Sequence, residues 1–359
     1  MEQKRALPEL SKEELEELLA TWGQPRYRAD QIWRWLYVSL ASDLDDMRNL
    51  PAALRRQLGG QLAVTSVAPV STLHSVDGRT EKVLLQLADG QTVETVLMDY
   101  DGRRTVCVSS QVGCAVRCAF CATGLGGWMR DLSAGEIVEQ VLYYARLCRG
   151  GSGTAPGQGI SNIVYMGMGE PFLNYDAVRR SIAVLNDPEG FNLGARRVTI
   201  STAGIVPGIE RLAEEGLPVG LAVSLHAPSD ELRDRLVPIN RKYPLGQLIA
   251  ACRGYTEVTR RRVTLEYALI DGVNDSPAEA DALARLLRGQ LCHVNLIPVN
   301  PVPELPYRPS PHERVVAFEN RLRERGVNAT LRVSRGADIQ AGCGQLRSAP
   351  RECETIVNT

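Results

Sequence analysis

Thr105-Val106-Cys107-Val108-Ser109-Ser110-Gln111-Val112-Gly113-Cys114-Ala115-Val116-Arg117-Cys118-Ala119-Phe120-Cys121 runs from a β-branched segment into three cysteines spaced CxxxCxxC. The first four residues read as a strand, and the cysteines occupy the loop beyond it. Three thiolates this close on one loop can grip one face of a metal centre. No fourth Cys or His follows at finger-like spacing, so the set is one ligand short of a closed structural site. Open coordination is what a catalytic metal centre needs. The competing reading is a zinc knuckle, which completes four ligands in two short pairs.

Downstream of this loop, strand and helix patterns alternate. Apolar strand candidates lie at 106–109, 162–166, 198–201, 219–225, 263–269 and 294–298. Helical spacing appears between them at 133–147, 175–185, 206–215, 245–256 and 278–287, and again after the sixth strand at 311–325. Six such units predict an α/β fold with a parallel sheet, curved into a partial (β/α)6 barrel, from 104 to 333. In barrels of this kind the chemistry collects at the carboxyl ends of the strands.

Upstream, residues 1–62 read as a helical module. Ser11 and Glu14 form a capping box, with Leu15, Leu18, Leu19 and Trp22 at helical spacing behind it. A second helix is expected over 30–40, and a third opens at Pro51. Arg26, Arg28, Trp33, Arg34, Tyr37, Arg55 and Arg56 mix cations with aromatics, the chemistry of a single-stranded RNA surface. Taken alone, those residues suit an ordinary solvated face with half-buried aromatics better. Over 63–103 the period changes to two, broken at Asp77-Gly78, Asp89-Gly90 and Asp101-Gly102, which predicts an antiparallel β extension. Residues 334–359 form a tail with little periodicity, and the glycine-rich stretch from Gly150 to Gly159 is a loop without the lysine of a phosphate cradle.

Composition bounds the function. Nine cysteines, three of them clustered, do not form the even framework of a secreted scaffold. The charged start Met1-Glu2-Gln3-Lys4-Arg5 is not a signal peptide, and no run of apolar residues is long enough for a membrane span. A cytoplasmic enzyme is the expectation. Net charge is −1, which by itself argues for no nucleic-acid partner. Only Lys4, Lys12, Lys82 and Lys242 are lysines among the 41 basic residues; arginine suits phosphate and base stacking, but an arginine-rich genome gives the same bias.

The strand ends are more specific. The second candidate strand ends in Gly167-Met168-Gly169-Glu170-Pro171, where small residues admit a ligand to the backbone and Glu170 can accept from an ammonium group. The third ends in Ser201-Thr202, the fourth in Ser224-Leu225-His226, and the sixth leads to Asn300. Hydroxyl, imidazole and amide groups on one rim suit a ribose and an adenine edge. Each alone has a plain reading, since polar residues often close strands. Cys107 by itself reads as a small buried hydrophobe, and Glu94 as a solvent-facing strand residue. Cys343 sits between glycines with no packing reason to be cysteine. Cys148, Cys252 and Cys292 read as core, Cys353 is unassigned, and His74, His293 and His312 show no ligand spacing.

From about Ser11 to Leu346 these blocks resemble the RlmN/Cfr family of radical S-adenosylmethionine (SAM) RNA methyltransferases. The resemblance is carried by Arg28–Leu36, Val93-Glu94-Thr95-Val96, Gln111–Cys114 and Cys121-Ala122-Thr123-Gly124. Tyr165–Pro171, Ser224–Pro228, Pro238–Tyr243, Arg335–Ile339 and Cys343–Leu346 add to it. The chain departs from the family pattern at Gly342, where Ala is usual, and across Leu125–Asp131. The helical module is more similar to RlmN than to Cfr.

The resemblance implies a [4Fe–4S] cluster on Cys114, Cys118 and Cys121, with SAM chelated at the open iron and two SAM consumed per methylation. It implies SAM contacts from Gly169, Glu170, Ser201, Ser224, Leu225, His226 and Asn300. It further implies that Cys343 first accepts a methyl group and that a 5′-deoxyadenosyl radical then activates it for addition to adenine. Cys107 would resolve the covalent RNA adduct by forming a disulfide, and Cys107 or Glu94 would remove the ring proton. The implied substrates are an adenosine of large-subunit rRNA near the peptidyl-transferase centre, at carbon 2, and the adenosine 3′ of the anticodon in some tRNAs. The implied electron donor is a flavodoxin, and the chain is expected as a monomer. The rival readings are Cfr-like methylation at carbon 8 and a non-catalytic iron–sulfur or zinc protein that binds RNA.

Overall fold

The computed structural model describes residues 4–150, 159–332 and 334–347. Most of the glycine-rich loop, the end of the tail and Cys353 lie outside the described residues. Alternating strands and helices from Arg103 onward build one side of a ten-stranded sheet in which the strands stand in chain order. The parallel strands are Arg103–Cys107, Asn162–Tyr165, Val198–Thr202, Gly220–Ser224, Val263–Leu269, Cys292–Pro298 and Ala329–Leu331. Helices Ala134–Arg149, Tyr175–Asn186, Val206–Glu215, Leu245–Thr259, Pro277–Leu286 and His312–Glu324 make the crossovers. The two outermost strands, Ala68–His74 and Ala329–Leu331, do not pair with each other, so the barrel is partial.

The parallel strands therefore number seven, one more than the sequence pattern predicts. Ala329–Leu331 is only three residues long, too short to carry a readable alternation, and pairs with Val294–Leu296 at the sheet edge. A short helix that the pattern does not predict, Asp230–Leu236, follows the fourth strand, and its Arg233 donates to the Ser224 and Leu225 carbonyls.

The antiparallel strands Ala68–His74, Thr80–Gln86 and Thr92–Tyr100 continue the barrel sheet. Arg103–Cys107 belongs to both regions: Val96 pairs antiparallel with Cys107 on one side, and Val164 pairs parallel with it on the other. All three Asp-Gly turns form, with Gly78, Gly90 and Gly102 at positive φ, as tight turns require.

The helices Lys12–Thr21, Tyr27–Tyr37 and Ala52–Gln61 pack Leu15, Leu19, Ile32, Leu36 and Leu58 into the same buried cluster as Ile163, Val223 and Leu265 of the barrel. Trp33 and Tyr37 are buried, and the Trp33 indole donates to Asp187 Oδ2 at 2.6 Å. Neither ring is free to stack on a base, so these two residues belong neither to an RNA surface nor to a solvated face. They clamp the module to the barrel.

Candidate active site

The cysteine loop is bracketed by a small ribbon, Gln111–Gly113 paired with Trp128–Asp131. Gly113 has φ +75, and a Cβ there would lie 1.9 Å from the Gly127 carbonyl oxygen, so no side chain fits. The loop is pressed onto the strand ends by Val116, which packs with Ala203, Ala227, Leu236 and Val299 in a second apolar cluster. Cys114, Cys118 and Phe120 pack against the same cluster. The Ala119 N–H donates to the Leu236 carbonyl at 2.9 Å.

All three cysteines line one cavity of about 160 Å³ at the carboxyl ends of the strands. Gly169, Glu170, Ser201, Ser224, His226 and Asn300 line it too, so six of the seven strand-end residues converge there. Leu225 does not: it is fully buried, and its carbonyl accepts from Arg233 Nε at 3.0 Å. Burial pushes the Cys114 thiol up to about 12 and Cys118 well above its ordinary value, with proximity to the other thiols and Glu170 adding to the shift. Among the described residues no three His, Cys, Asp or Glu side chains are grouped as ligands of a single metal ion. In an iron–sulfur cluster each iron takes its own thiolate, so the sulfurs need not converge on one point. Three soft donors on one loop, lining one cavity, fit such a cluster.

The groups opposite the cysteines are well fixed. Glu170 Oε2 accepts from the Ala203 N–H at 2.6 Å and Oε1 from the Phe172 N–H at 3.0 Å. Burial raises its pKa to about 7, against the pull of those bonds. Gly169 has φ +100, and a Cβ there would meet Gln111 at 2.6 Å. His226 is a non-glycine residue at φ 59; its Nδ1 accepts from the Ala268 N–H at 2.9 Å, and burial lowers its pKa to about 3. The ring is therefore neutral, with its proton on Nε2. Phe120 meets His226 edge-on, with centroids 4.8 Å apart.

The tail closes the cavity. Cys343 lines it, with its carbonyl accepting from Asn300 Nδ2 at 3.0 Å. The Ala122 N–H donates to the Gly344 carbonyl at 2.7 Å, tying the tail to the cysteine loop. Cys343 also lines a second, smaller cavity with Cys107, Met98, Tyr100, Val164 and Arg332. Cys107 is buried, and desolvation and the neighbouring Cys343 push its thiol up to about 12. Burial raises the Cys343 thiol as well, opposed by the Arg332 cation. The residue presents exposed surface because the cavity it lines is open, while protein crowds its thiol.

Glu94 lines neither cavity. It is buried, unlike a solvent-facing strand residue; Oε1 pairs with Lys82 Nζ at 2.8 Å, and Oε2 accepts from the Arg347 N–H at 2.8 Å. In this position it anchors the tail four residues beyond Cys343.

Three residues of the site escaped the sequence reading. Arg233, fully buried, donates to the Ala203, Ser224 and Leu225 carbonyls and to Asn240 Oδ1, tying two strand ends together; no spacing signals it. Glu266 and Arg332 line the first cavity near Cys343. Glu266 left a signal, as the one charged residue of the mostly apolar strand Val263–Leu269.

A partial barrel with an open three-cysteine loop at the strand ends defines a radical SAM protein, and the Radical SAM superfamily pattern matches residues 108–284. A ribosomal RNA large subunit methyltransferase N-terminal domain pattern matches residues 6–64. The chain is 51% identical, over 96% of its length and 93% of the relative's, to a probable dual-specificity RNA methyltransferase RlmN of Chloroflexus aurantiacus. It is 52% identical to that of Moorella thermoacetica, over 95% of this chain and 96% of the other. A radical SAM methyltransferase from Sphaerobacter thermophilus superposes with a TM-score of 0.93 at 57% identity, covering 96% of this chain and all of that one. This chain belongs to the RlmN family of radical SAM proteins. Membership implies a [4Fe–4S] cluster and SAM, which the cavity's donors fit.

Proposed function

We propose that the chain methylates carbon 2 of an adenosine in large-subunit rRNA near the peptidyl-transferase centre, and of the adenosine 3′ of the anticodon in some tRNAs. Cys343 carries the methyl group. The observation that supports this most is the position of Cys343, shared by the cysteine-triad cavity and by the cavity holding Cys107. The relatives' names, dual-specificity RNA methyltransferase, support RNA as substrate, and the N-terminal match supports rRNA.

Cys114, Cys118 and Cys121 would hold the cluster, which with bound SAM supplies the one-electron chemistry that activates a methyl C–H bond. Glu170 would take the methionine ammonium on the carboxylate lone pairs left over from its two backbone bonds. Ser201, Ser224 and neutral His226 offer hydroxyls and an Nε2–H to the nucleoside. Asn300, bonded to the Cys343 carbonyl, holds that thiol toward the cluster cavity. Cys107, which lines the same small cavity, would attack the Cys343 sulfur as a thiolate: the S–S bond forms as the C–S bond to the RNA breaks, and the departing carbon keeps the bonding pair and takes a proton, becoming the methyl group. Glu94 is bound to the tail and lines neither cavity, so we assign it a positioning role and assign ring-proton removal to the thiolate form of Cys107, which the nearby Arg332 cation favours against burial. A flavodoxin-type donor, a monomeric state and a cytoplasmic location complete the reading. Among the described residues no helix is long and apolar enough to cross a membrane.

The test is the isomer made. Digested rRNA from a deletion strain complemented with this chain should contain 2-methyladenosine by chromatography against standards. Mainly 8-methyladenosine would establish the Cfr-like alternative, and no methyladenosine would support the non-catalytic one.

A further inference from the structure

Tyr100 ends the antiparallel strand that leads into the first barrel strand, and guanidinium groups gather on it. The Arg103 Cζ lies 4.8 Å from its ring centroid and the Arg335 Cζ 4.6 Å. Its hydroxyl donates to Met98 Sδ at 3.4 Å, and Arg332 lines the same cavity beside it. Tyr100, Arg332 and Arg335 line the small cavity that also holds Cys107 and Cys343, so this cluster borders the space around the two thiols. The positive charge is only partly answered. Asp77 lies 3.5 Å from Arg335, Glu266 acts on Arg332, and exposed Arg103 has no carboxylate in ion-pair range among the described residues.

The cluster is also held in place. Gly336, next to Arg335, has φ +64, and a Cβ there would lie 2.6 Å from Thr80 Cγ2, so the tail turn is pressed onto the sheet. The Val76 N–H donates to Asp338 Oδ2 at 2.8 Å, and Lys82 Nζ to the Gln340 carbonyl at 3.1 Å. Planar cations fixed on an aromatic ring, with excess positive charge at the mouth of a reaction cavity, match a nucleotide. A base face lies on a guanidinium plane, and a phosphate fits its donor fork.

We propose that Arg103, Tyr100 and Arg335 form the contact site for the nucleotide flanking the target adenosine, holding the strand while the target base is turned out toward Cys343. This rests on RNA being the substrate, and deepens that reading. A base stacked in a helix cannot reach the thiols, so the target must leave the stack, and a grip on its neighbour holds the strand while it does.

The test measures binding of a transcribed large-subunit rRNA fragment spanning the peptidyl-transferase centre, at two salt concentrations, with iron content and melting temperature as controls of fold. Arg335→Gln should weaken binding about tenfold and lower the salt slope by about one phosphate contact. Arg335→Lys keeps the charge and loses the plane, so it should keep the wild-type slope yet bind about threefold more weakly. Asp77→Asn should stay within about twofold of wild type, because that ion pair is exposed. Wild-type affinity in either Arg335 variant overturns the proposal. So does an Asp77→Asn loss as large as that of Arg335→Gln, which would make Arg335 a support of the tail. A wild-type protein that binds no rRNA overturns this proposal together with the RNA reading; wild-type binding with unaffected variants overturns this proposal alone.

Discussion

The cysteine loop and the tail meet at the Ala122–Gly344 hydrogen bond, and they are held by different means. The loop is seated by packing: Val116 and Phe120 press on one apolar cluster at the strand ends, and Arg233 braces the ends beneath it. The tail from 334 to 347 has no regular secondary structure; Ala341 and Leu346 reach the main core, and the rest is strapped by single polar contacts to many segments. Asp338 reaches Val76, Gln340 reaches Lys82, Cys343 reaches Asn300, Gln345 reaches Pro301, Leu346 reaches Thr123, and Arg347 reaches Glu94. A packed loop suits a resident cofactor, which must not move. A strap of separate bonds can loosen piecewise, which suits a residue that must meet a cofactor, a second thiol and a substrate in turn.

The largest effect should come from breaking the loop alone. Cys118→Ala should lose the iron that anaerobic reconstitution otherwise loads, and with it SAM cleavage, while the tail keeps its protection from amide exchange. Iron analysis and exchange mass spectrometry check both halves, and stoichiometric zinc in the wild type would sink the cluster assignment. Next comes the brace. Arg233→Met leaves the Ala203, Ser224 and Leu225 carbonyls without their buried donor, and should cost about 3 kcal/mol in a denaturant titration. An effect below about 1 kcal/mol would show that the strand ends hold without it. The smallest effect belongs to the tail. Glu94→Gln weakens the bonds to Lys82 and the Arg347 N–H, and should cost about 1–2 kcal/mol, seen as faster exchange over residues 334–347 with iron content unchanged. Equal exchange in variant and wild type would remove Glu94 from the strap.

This contrast also explains what could be read before folding. The cysteine triad was legible because its ligand geometry is written in local spacing, and the strand ends were legible because barrel topology places polar closing residues on one rim. Glycines 113 and 169 are required by contacts within that same neighbourhood. Little local marks the tail: its long-range bonds reach residues 43 to 262 positions away, so its flanking glycines and a family resemblance were all that pointed to Cys343. Arg233 was missed for the same reason, as its acceptors lie on two strands that meet only in the fold. Trp33 and Tyr37 were ambiguous because an amphipathic helix can bury its aromatics against a barrel that its own sequence does not reveal.

The central claim is that Cys343 carries the methyl group and Cys107 releases the product. Cys107→Ala, purified, treated with nuclease and examined by peptide mass spectrometry, tests it most directly. With no second thiol to break the adduct, a nucleotide should remain attached to the peptide bearing Cys343. A Cys107→Ala enzyme that turns over normally, or an adduct found on Cys353 instead, would contradict the account.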